Sequence, residues 1–256
     1  MSTPLHAQAP TQRFSDRVAD YVKHRPGYPR EVWECVLGGF PLDSVVVADI
    51  GAGTGISSRG LAELLSGTAR VIAVEPNADM RKGAAPDPRV EWHDGTGEAT
   101  RLPDASVDVI VCAQAFHWMR KDEALAEFKR VLKPGGRVAL VWNDRDERDA
   151  ATRRYGELIL VASQKHAAAQ RFDQFVALRE SPLFTKFRNV DFQSGQDLDR
   201  DGLLGRARSA SYIPHEGPLW DALEAGLTQL VRDFADVRGH VRLVYTAHVY
   251  LAEVPK

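Results

Sequence analysis

The chain has 256 residues, 44% hydrophobic and 27% charged, with a formal net charge of -2; this is the make-up of a globular protein long enough for a substantial core. Acidic and basic residues are interspersed, so the basic footprint of a nucleic-acid binder is missing, and no apolar run approaches the roughly 20 residues a bilayer crossing needs. Cys35 and Cys112 are the only cysteines, which argues against a disulfide framework or a cysteine metal site and fits a reducing, cytoplasmic setting.

In chain order, residues 1–12 mix Pro, His, Gln and Ala without an apolar stretch, and are expected to form a disordered tail rather than a signal peptide. Residues 13–256 are expected to form one domain. Its first part, 13–143, holds an N-terminal helix and the ligand-binding core; 144–256 supplies helical cap insertions and the last two strands.

Residues 45–50, Val-Val-Val-Ala-Asp-Ile, form a β-branched run ended by Gly51 and read as a buried parallel strand. Ile56, Gly60, Leu61, Leu64 and Leu65 then share a helical face that Gly67 stops. Residues 71–74 make a second strand, with a short helix after Pro76-Asn77, and residues 89–93 make a third. Residues 107–112, the most hydrophobic run, make a central fourth strand. Asp122 is expected to cap a helix carrying Leu125, Phe128 and Leu132. Lys133-Pro134-Gly135-Gly136 ends that helix, and residues 137–142 form a fifth strand.

Beyond Trp142 the pattern turns helical over 151–178, to a strand over 187–192, and to helices over 197–212 and 218–237. A last strand over 241–254 is expected to run antiparallel. The helical pieces within 144–182 and 197–238 are expected to cover the open edge of the site. This alternation demands a mostly parallel α/β sheet with helices on both faces.

The first strand leads into Asp49-Ile50-Gly51-Ala52-Gly53-Thr54-Gly55 and then a helix. In that setting Gly51 permits the tight turn, Gly53 lets the backbone approach a ligand, and Gly55 allows close helix packing. Glu75 ends the second strand, close to the roughly 20-residue offset at which dinucleotide folds place a ribose-binding acid. Loop and acid together point to a nucleotide or nucleoside. The spacing departs from the dinucleotide pattern G-x-G-x-x-G, because position 56 is Ile, and no Walker A lysine follows.

At these residues the chain resembles the class I S-adenosylmethionine-dependent methyltransferases. The first motif of that family is similar to residues 49–55, its ribose acid to Glu75 with Pro76 beside it, and its adenine turn to Gly95-Thr96-Gly97-Glu98. Its segment after the fourth strand is similar to Ala113-Gln114-Ala115-Phe116-His117-Trp118. The resemblance implies a Rossmann-like, mostly parallel seven-stranded sheet with an antiparallel last strand. It also implies S-adenosylmethionine as cofactor, S-adenosylhomocysteine as product and a small-molecule acceptor.

Within the family the chain resembles the trans-aconitate methyltransferase-like branch, through residues 14–16, residues 21–29 (Tyr-Val-Lys-His-Arg-Pro-Gly-Tyr-Pro), residues 114–118 and Ser209-Ala210-Ser211-Tyr212. That likeness implies that Tyr21 and Arg25 lie near the methionine end of the cofactor, with Met80, Gly97 and Glu98 around the adenine. A guanidinium at Arg25 also suits a carboxylate on physical grounds; a surface arginine in a Pro-rich turn is the other reading.

Methyl transfer from a sulfonium asks the protein for positioning, desolvation and sometimes a base. His117 is the candidate base, because its loop follows the fourth strand at the carboxyl edge of the sheet; a role in shaping the pocket is the alternative. Trp118, Trp142 and Tyr212 are candidates to line an acceptor pocket or to be core, and Arg206, near Arg208, is a candidate clamp for an acidic acceptor.

Asp144, Asp146, Glu147 and Asp149 raise a magnesium reading, which the interleaved Arg145 and Arg148 offset. The histidines show no convergent ligand spacing, so no metal site is assigned. Competing functions are a nucleic-acid methyltransferase, a NAD-dependent oxidoreductase, and a binder of S-adenosylmethionine with non-methylating chemistry. The oligomeric state is not legible in the sequence.

Overall fold

The computed structural model describes residues 23–164, 175–210 and 212–256. The expected tail, residues 14–16, Tyr21 and Ser211 lie outside the described residues. Seven strands form one sheet: β1 (Val46–Ile50), β2 (Arg70–Val74), β3 (Val90–His93), β4 (Val107–Ala113), β5 (Leu132–Arg145), β6 (Thr185–Leu198) and β7 (Val241–Glu253). Their order is β3-β2-β1-β4-β5-β7-β6. The first five run parallel, and β7 is antiparallel to both β5 and β6. The order reverses direction between β1 and β4, and in such sheets ligands bind in the crevice outside the carboxyl ends at that reversal.

Strand alternation sorts the central side chains between two faces. Ala48, Ile50, Ile110, Cys112, Leu140 and Trp142 pack on one face. There they meet Leu125 and Phe128 of α4 (Lys121–Val131). Val47, Val109, Val111, Ala139 and Val141 pack on the other, against α1 (Arg30–Leu37) and α2 (Ile56–Ala62). A third cluster joins α5 (Ala150–Ala162), α7 (Arg200–Arg208) and α8 (Pro218–Phe234). Leu243 and Tyr245 of β7 belong to that third cluster, whereas Val249 and Leu251 belong to the sheet core. One strand therefore runs through both.

The sequence reading places an N-terminal helix within 13–143 without bounds and draws none over α1 in particular. Helix α1 starts after Pro29 and buries Val32, Trp33, Val36 and Leu37, a spacing that presents one apolar face. Arg137 closes its far end: Nη1 donates to the carbonyls of Val36 and Gly38 at 2.8 Å each, and Nη2 meets Glu253 at 3.3 Å. The helix-end carbonyls, which lack intrahelical partners, are thereby satisfied.

Several boundaries differ from expectation. Asp122 does not cap α4; Arg120 holds the cap position with extended backbone, and Asp122 lies in the first turn, where its charge suits the helix dipole. β5 begins at Leu132 rather than after the Pro-Gly-Gly stop, pairing Leu132 with Val107 and shifting register before Arg137. Such an irregularity is how a strand absorbs Pro and Gly. β6 is longer than the apolar segment 187–192, because the edge strand continues through polar residues paired to β7. The expected 197–212 helix starts at Arg200, where Asp199 accepts the Gly202 N–H at 2.7 Å. The short α6 (Val176–Glu180) packs Leu178 into the sheet core and not into the third cluster.

Candidate functional site

The turn after β1 is held by bonds that cross to β2. The N–H groups of Gly51 and Ala52 donate to the Val74 carbonyl at 2.8 and 3.2 Å. Glu75 then accepts the Gly53 N–H on Oε2 at 2.9 Å and the Asn77 N–H on Oε1 at 2.8 Å. Each carboxylate oxygen keeps a further lone pair, so the group is oriented without being saturated. Burial raises the pKa of Glu75, and the two amides act against that rise. Asn77 caps α3 (Ala78–Lys82), accepting from the N–H groups of Asp79 and Met80.

Gly51 and Gly53 carry φ of +72° and +58°, a region that side chains enter at a cost. A Cβ on Gly51 would stand 2.5 Å from that of Ala115, and one on Gly53 would stand 3.3 Å from Met80 Cε. Beneath the turn, Asp49 is fully buried and its Oδ2 accepts the hydroxyls of Ser57 at 2.6 Å and Ser58 at 2.5 Å. This ties the start of α2 to β1. Burial pushes the Asp49 carboxyl up to about 6, with the serine hydroxyls pulling the other way.

At the carboxyl end of β4, Gln114 takes a positive φ of 58°, a conformation that non-glycine residues adopt where surrounding structure imposes it. Its N–H donates to the Val141 carbonyl at 2.9 Å, and Nε2 donates to the Asn143 carbonyl at 3.2 Å. The opposite wall comes from residues 24–28. Gln196 donates to the His24 carbonyl at 3.0 Å, Arg25 Nη2 to the Ser209 carbonyl at 3.0 Å, and Asn143 to the Gly27 carbonyl at 3.3 Å. These contacts anchor the segment to β6, α7 and β5.

Between the walls runs a cleft lined by Arg25, Pro26 and Tyr28, by Gly51, Ala52, Ile56 and Ser57, by Ala113 and Gln114, and by Asn143 and Arg206. It lies where the strand order reverses. Six residues singled out from sequence meet there: Arg25, Gly51, Ala52, Ala113, Gln114 and Arg206. Asp49, Gly53, Thr54, Gly55 and Glu75 sit within or beneath the turn that floors it, and Met80 is buried beside Gly53. Pro76 follows Glu75 and is half-buried. Gly97 packs against Met119, whose Sδ would lie 2.2 Å from a Cβ there. Glu98 accepts the Arg120 N–H at 2.8 Å.

The acceptor-pocket candidates divide. Trp142 is core: it is 3% exposed and packs edge-on to Tyr250 at 5.9 Å. Its neighbour Asn143 faces the cleft instead, as the two-residue period of a strand requires. Trp118 and Tyr212 do not line the cleft. His117 is buried with its ring 5.1 Å from that of Trp118, also outside the lining. Asn143, Ile56, Ser57, Pro26 and Tyr28 are liners that the sequence reading missed; alternation from Val141 was the available signal for Asn143.

The acidic residues after β5 have local partners. Asp146 pairs with Arg148, and Asp149 caps α5 by accepting from the Thr152 N–H and hydroxyl. Among the described residues, no group of three or more His, Cys, Asp or Glu is arranged to hold a metal ion. Burial raises the pKa of the Cys112 thiol well above its ordinary value, as befits an inert core residue. Among the described residues no helix is long and apolar enough to cross a membrane.

The methyltransferase-domain family matches residues 48–140, the stretch holding the turn, Glu75 and Gln114. An uncharacterized methyltransferase of Schizosaccharomyces pombe is 38% identical over 227 residues, covering 86% of this chain and 87% of that protein. Another, from Mycobacterium tuberculosis, is 39% identical over 146 residues, which is 57% of this chain and 58% of that protein. The chain thus spans little more than half the length of several curated relatives it matches. A solved structure from Anaeromyxobacter dehalogenans, provisionally named a type II methyltransferase, superposes with a TM-score of 0.66 at 26% identity, covering 91% of this chain and 99% of that one.

Proposed function

Because this chain belongs to the methyltransferase family, we propose that it binds S-adenosylmethionine in the cleft beside the glycine turn and methylates a small molecule there. The observation that carries the reading is the keyed turn: three glycines in left-handed backbone, with the Glu75 carboxylate fixed by the Gly53 and Asn77 amides. Such a carboxylate has two lone pairs left for a vicinal diol, and the turn leaves room where a Cβ would intrude. The residues present therefore fit an adenosyl group.

In this reading Glu75 takes the ribose hydroxyls, and Met80, Gly97 and Glu98 border the adenine. Gly51, Gly53 and Gln114 shape the passage toward the reacting end. Tyr21 and Arg25 hold the methionine end, the guanidinium answering its carboxylate. The cofactor supplies an electrophilic methyl group, whose sulfur departs with the carbon–sulfur electron pair as S-adenosylhomocysteine.

The protein contributes position and exclusion of water. The segment 24–28, tied to β5, β6 and α7, closes one side of the cleft. We read the acceptor as a small carboxylate or hydroxyl compound, in keeping with the likeness to the trans-aconitate methyltransferase-like branch. An ionised carboxylate brings its own nucleophilic lone pair and needs no base. His117, buried against Trp118 and outside the cleft lining, then acts as a support for the loop after β4.

The test is a titration of the full chain with S-adenosylhomocysteine, followed by a screen of small carboxylic acids and phenols for its formation from S-adenosylmethionine. Saturable binding and product formation with at least one acceptor are expected. No heat of association on folded protein would sink the reading.

A further inference from the structure

Arg206 is 8% exposed yet lines the cleft. Its Nη1 donates to the Ser209 hydroxyl at 3.3 Å and the Tyr245 hydroxyl is a further hydrogen-bond partner, while its Nε is buried without one. No carboxylate among the described residues pairs with it. The groups around it are the phenols of Tyr245, Tyr155 and Tyr212, and Arg145 lies over the Tyr155 ring at 5.8 Å. Burial weighs against its charge, and those phenols outweigh burial, holding its pKa above the ordinary arginine value. Arginine stays protonated in proteins, so this is a desolvated cation with no carboxylate beside it among the described residues.

A buried charge left so is costly unless something pairs it. Arg25 lines the same cleft and bonds the backbone of the same residue, Ser209. The cofactor carries one carboxylate, which the reading above assigns to Arg25. We infer that Arg206 is a specificity residue that receives an oxyanion of the acceptor, making this enzyme selective for small anionic acceptors. The planar guanidinium fork suits both carboxylate and phosphate. Tyr245 and Tyr155 serve as positioning residues that hold the guanidinium toward the cleft.

The inference rests on the cleft being the cofactor site, and the experiment separates the two. The full chain is first titrated with S-adenosylhomocysteine; absence of binding ends the cofactor reading. The loaded protein is then titrated with benzoate, phenyl phosphate and benzamide as probes. Binding of benzoate or phenyl phosphate but not of benzamide is expected, naming the oxyanion that fits. In Arg206→Gln that binding should weaken by at least about tenfold, as loss of a charge-assisted bond predicts, with affinity for S-adenosylhomocysteine unchanged.

Equal binding of benzoate and benzamide, or binding of neither anion, overturns the inference. So does a loss of S-adenosylhomocysteine affinity in Arg206→Gln, which would assign the guanidinium to the cofactor. Should circular dichroism show Arg206→Gln unfolded, Arg206→Lys keeps the charge but loses the fork. It should weaken the anion several-fold; unchanged anion affinity there overturns the inference as well.

Discussion

Glu75 accepts the Gly53 amide proton at 2.9 Å, which joins the acid at the end of β2 to the turn that follows β1. With Asn77 on its other oxygen at 2.8 Å, the carboxylate organises two loops. Glu75→Gln offers one acceptor where two amides need one each. It should cost about 1–3 kcal/mol of stability and weaken S-adenosylhomocysteine binding at least about tenfold. Denaturant melts and calorimetry read the two effects; an unaltered affinity would remove Glu75 from the binding role.

Gly51 has no room for a side chain. Gly51→Ala must occupy φ of +72° and bring two Cβ atoms to 2.5 Å, so strain and overpacking add, at about 2–4 kcal/mol. Gly39→Ala is the matched control, because its φ is +89° but nothing lies within 4 Å of the added carbon. It should lose only about 1–2 kcal/mol. Similar losses for the two variants would contradict the close approach of Ala115.

Asp49 predicts an unusual pH dependence. Its carboxyl is raised from 3.8 to about 6, so the folded protein holds that proton more tightly than the unfolded chain. The resulting stabilisation is complete below 3.8 and is lost as pH rises through about 6. Asp49→Asn keeps an acceptor for Ser57 and Ser58 without the charge. Its stability relative to wild type should climb by on the order of 2–3 kcal/mol between acid and neutral pH, then level off. A difference that stays flat or falls over that interval would show that Asp49 is not held protonated by burial.

His117 should matter to packing more than to chemistry. A general base contributes roughly 10²–10⁴-fold, whereas His117→Gln is expected to keep turnover at saturating acceptor within about fivefold while lowering the melting temperature. A hundredfold fall in turnover with affinity intact would restore His117 as the base.

The parallel half of the fold was legible because its strands are buried on both sides and spell themselves as β-branched runs, as in residues 45–50 and 107–112. The turn and Glu75 were legible because their geometry demands particular residue types. An N-terminal helix was expected without bounds, and α1 was not drawn although Val32, Trp33, Val36 and Leu37 sit at helical spacing, because the preceding Pro26 and Pro29 read as a turn. The polar end of β6 was missed because an edge strand facing solvent needs no apolar alternation. Trp142 drew attention by its size; the smaller Asn143 occupies the cleft, and only the phase of the strand tells them apart. Arg206 was noticed as a charge, but its burial among tyrosines depends on contacts distant in sequence, which no local pattern encodes.

Strand β7 carries the third hydrophobic cluster on Leu243 and Tyr245 and the sheet core on Val249 and Leu251. The cluster of α5, α7 and α8 therefore has no hinge of its own along that strand. To move away together with its share of β7 it would have to tear cross-strand ladder bonds to β5 and β6, so the two cores are mechanically yoked through one strand.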